Sequence, residues 1–351
     1  MAAAPALGPV ACISLEPWDT TWRRNQHFAS RLVRRGHASR LVFVEPPVLG
    51  RRPRRWSPQP GVTVVRPPLM VPKRAGGLAL TGALLRATVL RSARVVWVND
   101  PTLGVHCVRR GSRAVYDVTD DWRTFKQPGY ITERLVAAED ALARRAETVV
   151  CSQVLADRWH QRYGVQPPVV QNAVDAEAYL HATPRRPDGA GPHLAYVGTL
   201  HEQRLDVELV LALADSALGT VHLVGPDSLG AASRARLEAH PGVRLHGPVP
   251  TQDVPGWMTG MDVLLCPHRV DDFTLSLDAI KAHEYLASGR PVVATPTSGF
   301  QQLTAEGLTV VPAEEFADAA RRAVRTGPFQ RDVTTWDDRT DEFACALGLS
   351  L

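Results

Sequence analysis

Short runs rich in β-branched residues recur along the whole chain, each separated from the next by a segment with helical spacing. This feature constrains the fold most, because strands alternating with helices build parallel sheets covered by helices on both faces. In the first half the runs are 10–14, 41–44, 62–65, 95–98, 114–118, 149–152 and 169–171. In the second half they are 194–198, 221–225, 243–246, 263–267, 292–295 and 309–311, with helices expected at 25–35, 131–145, 206–215 and 277–288 among others. At 351 residues the chain is long enough for two α/β domains, each with its own core. The prolines and glycines of residues 181–192, HATPRRPDGAGP, break any hydrophobic period and predict a linker. The expected domains are therefore 1–180 and 190–330, followed by a tail, 331–351.

Charge excludes some partners. The net charge is only +4 and acidic residues are interspersed almost everywhere, so no nucleic-acid surface is expected. One dense basic patch stands out, Arg51, Arg52, Arg54 and Arg55 followed by Trp56. It reads either as a solvated loop or as a weak peripheral contact with anionic lipid or an acidic acceptor. The five scattered cysteines contain no C-x-x-C pair, which predicts reduced thiols and no zinc site. No basic residue precedes the apolar run 1–15, so we expect no secretion signal and a cytoplasmic location, with contact at the inner membrane face left open. The most apolar helix candidate, 76–90, is too short to span a bilayer and contains Arg86; it is expected to be a core or interface helix.

The most informative segment is 271–298, DDFTLSLDAIKAHEYLASGRPVVATPTS. Its spacing predicts a helix over 277–288 with Ala279, Ala282 and Leu286 on the packed face and Lys281, Glu284 and Ser288 opposite. Gly289 and Pro291 end that helix, and Thr274 to Asp278 offer an N-cap. A helix start presents free N–H groups with partial positive charge, which suits a pyrophosphate, and Lys281 adds a full charge one turn in. Glu284 could accept hydrogen bonds from two ribose hydroxyls. The plain alternative is an amphipathic helix with a Lys–Glu surface pair.

KAHEYLASGRPVVAT resembles the hallmark of GT-B glycosyltransferases of the glycogen-synthase-like superfamily, and most of all its teichuronic-acid-type branch. NAVD (172–175), YVGTL (196–200), HLVGP (222–226), DVLLCP (262–267), WRRNQHFASRLVRRGH near the start and YDVTDDW (116–122) fall in the same register. The resemblance implies a GT-B fold, two Rossmann-like domains facing across a cleft. The first would bind acceptor and the second a nucleotide sugar, with the C-terminal segment around Trp336 crossing back to the first domain. The activity it implies is transfer of a sugar to an acceptor hydroxyl, with retention and without a metal or other cofactor. Donors would be UDP-, GDP- or dTDP-sugars; acceptors would be glycans, lipid-linked sugars or small molecules. Two rival readings are a sugar-nucleotide epimerase of this fold and a non-catalytic partner protein.

On the donor side the resemblance points to Thr199, Arg204, Gly247, Val249, His268, Ser276, Leu277, Lys281 and Glu284. Arg204 and Lys281 would stabilise the departing phosphate, and His201 is the fallback for Arg204. Ser276 stands where the superfamily has the first glutamate of its E-x7-E motif, which obscures the donor sugar. On the acceptor side it points to Arg24, His27, Asp120 and Asp121, with Asp120 and His27 as candidate catalytic groups. Asn172 is expected to close a turn. No metal ligands are assigned; Asp271 and Asp272 form the one weak acidic pair weighed for that role.

Overall fold

The computed structural model describes residues 8–109, 111–125, 128–189, 191–331 and 333–349. It divides into two compact units, Met1–Gln171 with Trp336–Leu351, and Asn172–Thr335.

The first unit is built on a seven-stranded sheet. Its strands are β1 (Val10–Ile13), β2 (Leu41–Val44), β3 (Arg54–Gln59), β4 (Val62–Arg66), β5 (Val95–Val98), β6 (Ala114–Val118) and β7 (Glu147–Val150). They lie in the order β3-β4-β2-β1-β5-β6-β7, all parallel except β3, which is antiparallel to β4. β1 and β5 are buried at every position, as a central parallel strand covered on both faces must be.

The second unit contains β8 (His193–Val197), β9 (Leu200–His201), β10 (Thr220–Val224), β11 (Asp227–Ser228), β12 (Val243–Gly247), β13 (Val263–Cys266), β14 (Val292–Ala294) and β15 (Leu308–Val310). Six form a parallel sheet in the order β12-β10-β8-β13-β14-β15, and β9 and β11 make a small ribbon of their own. Each large sheet reverses its winding once, between β1 and β5 in one unit and between β8 and β13 in the other. In a doubly wound sheet that reversal opens a crevice beyond the carboxyl ends of the two strands.

Three sequence expectations need correction. The basic patch is not simply a loop: Arg54–Gln59 forms β3, an edge strand whose charges and Pro58 hide it from a hydrophobic-run reading. Residues 169–171 form no strand and contribute only a bridge between Val150 and Val169. The linker expected at 181–192 lies inside the second unit rather than between the units. Residues 172–180 belong with that unit because Asn172 hydrogen-bonds to Asp278 and Tyr179 is buried there.

The C-terminal helix Trp336–Ala346 packs on the helix Arg24–Arg34 of the first unit. Phe343 stacks on Phe28 at 4.3 Å and meets Trp97 edge-on at 4.9 Å. Ion pairs from Arg31 to Asp337 (2.8 Å) and Arg35 to Asp341 (2.6 Å) line the seam.

Candidate functional site

In the second unit, chemistry collects where β8 and β13 end. β8 stops at Val197 and is followed by Gly198 at φ +147°, a conformation open to glycine and strained for other residues. A side chain at Gly198 would also collide with the Lys281 ammonium, and one at Gly225, at the end of β10, with the Gly198 carbonyl. Glycine is therefore needed at both strand ends to bring backbone and lysine together.

Lys281 is not on a solvent face. Its ammonium donates to the Val197 carbonyl and lies 4.4 Å from the centre of the Tyr196 ring and 5.7 Å from that of Tyr285. Burial lowers its pKa, and the surface-pair alternative fails. Arg204 lies over the Phe273 ring at 5.2 Å, and no carboxylate among the described residues pairs with it. His268, beyond β13, is held by Tyr196 Oη at 3.1 Å and by a backbone bond to Thr295 Oγ1. Burial and the charges of Lys281 and Arg204 push its pKa down to about 3, so it is neutral at pH 7. His201 is lowered by burial and then by the same two cations. Thr199 contributes its carbonyl to the Tyr196 hydroxyl (3.0 Å), and the Gly247 carbonyl accepts from Gly225 N–H (2.8 Å). Val249 packs against the core of this unit.

The helix expected over 277–288 spans Ile280–Ser288, and no side chain caps its start at Ala279. The candidate caps are engaged elsewhere. Asp278 accepts from the Asn172 backbone N–H and meets His283 Nε2 at 3.3 Å. Thr274 Oγ1 donates to Arg269 O, and Ser276 Oγ donates to Phe273 O at 2.7 Å inside a single 3-10 turn, Thr274–Ser276. Asp271 Oδ1 caps that turn by accepting from Phe273 and Thr274 N–H. Leu277 is the extended residue that leaves it. The helix thus begins later than its periodicity suggests, with side-chain-uncapped N–H groups next to Lys281. Ser288 is buried against Tyr285 O rather than exposed.

Glu284 lies one turn further along. Burial raises its pKa, partly offset by Lys281, and it takes a hydrogen bond from the Tyr179 hydroxyl. The structure therefore assembles two cations, two neutral imidazoles, an uncapped helix start and one half-buried carboxylate within a single unit. That arrangement favours an anion beside a hydroxyl-bearing group. Tyr196, Tyr285 and Tyr179 are additions that residue spacing did not single out; nothing local distinguishes them from core aromatics.

In the first unit, the ends of β1, β5 and β6 carry a polar floor. Asn25 Nδ2 donates to Asn99 Oδ1 (2.7 Å) and to Ser14 Oγ (3.0 Å), while Asn99 Nδ2 donates to Asp117 O. Asp120 accepts from Thr119 Oγ1 at 3.0 Å. Glu16, unrecognised in the sequence, has its pKa raised by burial, with Asp19 and Asp120 adding to the rise and Arg23 opposing it. His27 stacks on Trp336 at 4.4 Å and is bound by Arg31 through Nδ1 (3.0 Å). Burial and then Arg31 lower its pKa to about 3, which suits a neutral positioning ring better than a proton acceptor.

Two other residues serve the frame. Arg24 forms a buried pair with Asp117 (3.1 Å), and Asp121 is clamped by Arg158 and Arg162, both at 2.9 Å. These ion pairs tie elements of the first unit together.

Residues 191–326 match the family described as Glycosyl transferases group 1. TuaH of Bacillus subtilis (strain 168), whose name assigns it to teichuronic acid biosynthesis as a glycosyltransferase, is 26% identical over 204 residues, 52% of this chain and 50% of that protein. The chain thus spans about half the length of the curated relative it matches. Sucrose-phosphate synthase from Thermosynechococcus elongatus superposes with a TM-score of 0.72 at 17% identity, covering 97% of this chain and 94% of that one. WaaG, a glycosyltransferase of lipopolysaccharide biosynthesis, gives 0.66 at 16%, covering 96% and 95%. Anabaena HepE in complex with UDP-glucose gives 0.63 at 15%, covering 97% of each. The matched stretch lies within the second unit, and the fold is GT-B.

Proposed function

We propose that this chain, with its match to Glycosyl transferases group 1 at 191–326, transfers a sugar from a nucleotide sugar to an acceptor hydroxyl. The observation that carries the reading is the convergence of Lys281, Arg204 and the uncapped start of Ile280–Ser288 where β8 and β13 end. The donor diphosphate would sit against the helix start and the two cations, with Glu284 accepting from the ribose hydroxyls. As the glycosidic bond breaks, negative charge grows on the departing phosphate, where fixed cations stabilise the transition state most.

The reaction proceeds with retention and without a divalent ion in this proposal. The departing phosphate takes the acceptor proton on the face where attack occurs, and Lys281 and Arg204 supply the positive charge. Asp120 and Glu16, at the carboxyl ends of the first sheet, orient the acceptor. HepE was captured with UDP-glucose, which makes a UDP-sugar the first donor to test. The experiment is turnover of labelled UDP-sugars with and without an acceptor, in buffer containing chelator, with the anomer of the product read by NMR. Sugar transfer with retained configuration is expected. Loss of turnover in chelator that magnesium or manganese restores would overturn metal independence, and an inverted product would overturn retention. A product that is an isomerised donor, with no transfer, would overturn the transferase reading.

A further inference from the structure

Residues 46–99 contain ten lysines and arginines and no aspartate or glutamate, although acidic residues are spread through the rest of the chain. The structure gathers part of this segment on one face of the first unit. Arg51, Arg52, Arg54 and Arg55 are exposed on and beside the edge strand β3, and none has a carboxylate partner among the described residues. Arg54 lies 4.5 Å over the Trp56 ring, which holds its guanidinium outward from an aromatic base.

Beside the strand runs the helix Gly77–Ala87, and its polarity is the reverse of what a solvated helix requires. Leu78, Thr81 and Leu85 point into the core. The outer stripe is Leu80, Ala83, Leu84 and Ala87, all exposed and all apolar, at helical spacing. Leu80 is 53% exposed, and Met70, shortly before the helix, is 70% exposed. A groove of about 290 Å³ joins the two features, with Arg54, Arg55 and Arg66 on one side and Leu84 and Val89 on the other. Lone exposed leucines are unremarkable, but a stripe of them bordered by unpaired arginines is not.

We propose that this face docks on an anionic lipid bilayer. A flat bilayer surface satisfies both features at once: the stripe enters the boundary between headgroups and acyl chains, and the guanidiniums bind lipid phosphates. Charge complementarity selects an anionic surface, because Arg51, Arg52, Arg54 and Arg55 have no carboxylate partner among the described residues, whereas Arg66 in the groove pairs with Glu45 (2.9 Å). An acidic protein would satisfy the arginines but would need a matching apolar groove for the stripe. The bilayer needs none. The inference is independent of the donor chemistry, since every residue it uses lies in the first unit.

The test is flotation of the full chain with vesicles of phosphatidylcholine alone or mixed with phosphatidylglycerol. Binding is expected to the mixed vesicles only and to weaken with added salt. The variant R51A/R52A/R54A/R55A should lose on the order of 100-fold or more in vesicle affinity, at roughly fivefold per cation near the surface. The variant L80Q/L84Q should lose about tenfold through its apolar contact alone. Both changes lie on exposed side chains, so UDP affinity and thermal melting should match the wild type and verify folding. Equal binding to both vesicle types, or wild-type flotation by either variant, would overturn the proposal. So would retention on immobilised polyglutamate without any vesicle binding, which would reassign the face to an acidic protein.

Discussion

Replacing Lys281 by methionine separates a binding cation from a structural one. In the free protein the ammonium has one carbonyl, Val197 O, and two ring faces, Tyr196 and Tyr285. Losing the charge-assisted hydrogen bond forfeits about 1.5–3 kcal/mol, and losing the ring contacts roughly 0.5–2 kcal/mol. Against this stands the cost of burying an ammonium, several kcal/mol, whose signature is the lowered pKa. The terms nearly cancel, so the variant should melt within about 1 kcal/mol of the wild type, methionine filling the space.

A bound diphosphate meets no such cancellation. UDP affinity should fall by about 10- to 150-fold, the equivalent of one charged hydrogen bond. Turnover should fall further, on the order of 100- to 1,000-fold, because charge on the departing phosphate is greatest in the transition state. The sign of the pH effect offers an independent check. A lysine whose folded pKa is depressed binds fewer protons than in the unfolded chain, so wild-type stability rises as pH climbs from the folded pKa towards 10.5. The methionine variant lacks that rise. Calorimetric titration of UDP, single-turnover kinetics and melting against pH are the assays. Wild-type UDP affinity in Lys281→Met would refute the donor-site assignment, whatever happens to stability.

Three further outcomes are expected. Glu284→Gln should weaken UDP binding by about 2–3 kcal/mol, on the order of 30- to 150-fold, if its carboxylate takes the ribose hydroxyls; deoxyribose nucleotides should then bind wild type and variant more nearly alike, and an unchanged ribose preference would count against it. Gly198→Ala should cost about 1–3 kcal/mol of stability through its φ of +147° and lower UDP affinity by displacing Lys281, checked by melting and titration; a neutral result would mean that the strand end relaxes. His27 and Glu139 should give pH slopes of opposite sign in the first unit. Burial and Arg31 lower the His27 pKa to about 3, so it costs the fold stability as pH falls below 6.5; Glu139, raised to about 7 by burial, costs stability as pH rises from 4.5 through 7. On acidification His27→Gln should therefore gain relative to wild type and Glu139→Gln should lose, and parallel melting curves would refute both assignments.

Most of the architecture was legible in local pattern. Twelve of the thirteen strand runs read from the sequence are strands, since a buried parallel strand declares itself by an unbroken β-branched run bounded by turn residues. The run 169–171 failed because three residues after two prolines support a bridge and no more. β3 escaped notice because an edge strand can be charged throughout. Lys281, Glu284, Arg204 and His268 were named from motif and chain position, and the fold brings them to one end of one sheet.

The sequence could not reveal which way those side chains face or what engages them. Helical spacing put Lys281 on a polar face, whereas its partner is a carbonyl 84 residues away. Asp278 has the composition of an N-cap, yet it is recruited by Asn172, 106 residues away, which leaves the helix start uncapped. Arg24 reads as an acceptor-side group by motif, but Asp117, 93 residues distant, engages it as a buried ion pair. Local periodicity depends on neighbours three or four positions apart, so the chain alone determines most of its strands and helices. Burial and partner choice depend on groups that only the folded sheets bring together, and there the tertiary structure decided that the lysine donates to a distant carbonyl, the helix start is open and the histidine at position 27 is neutral.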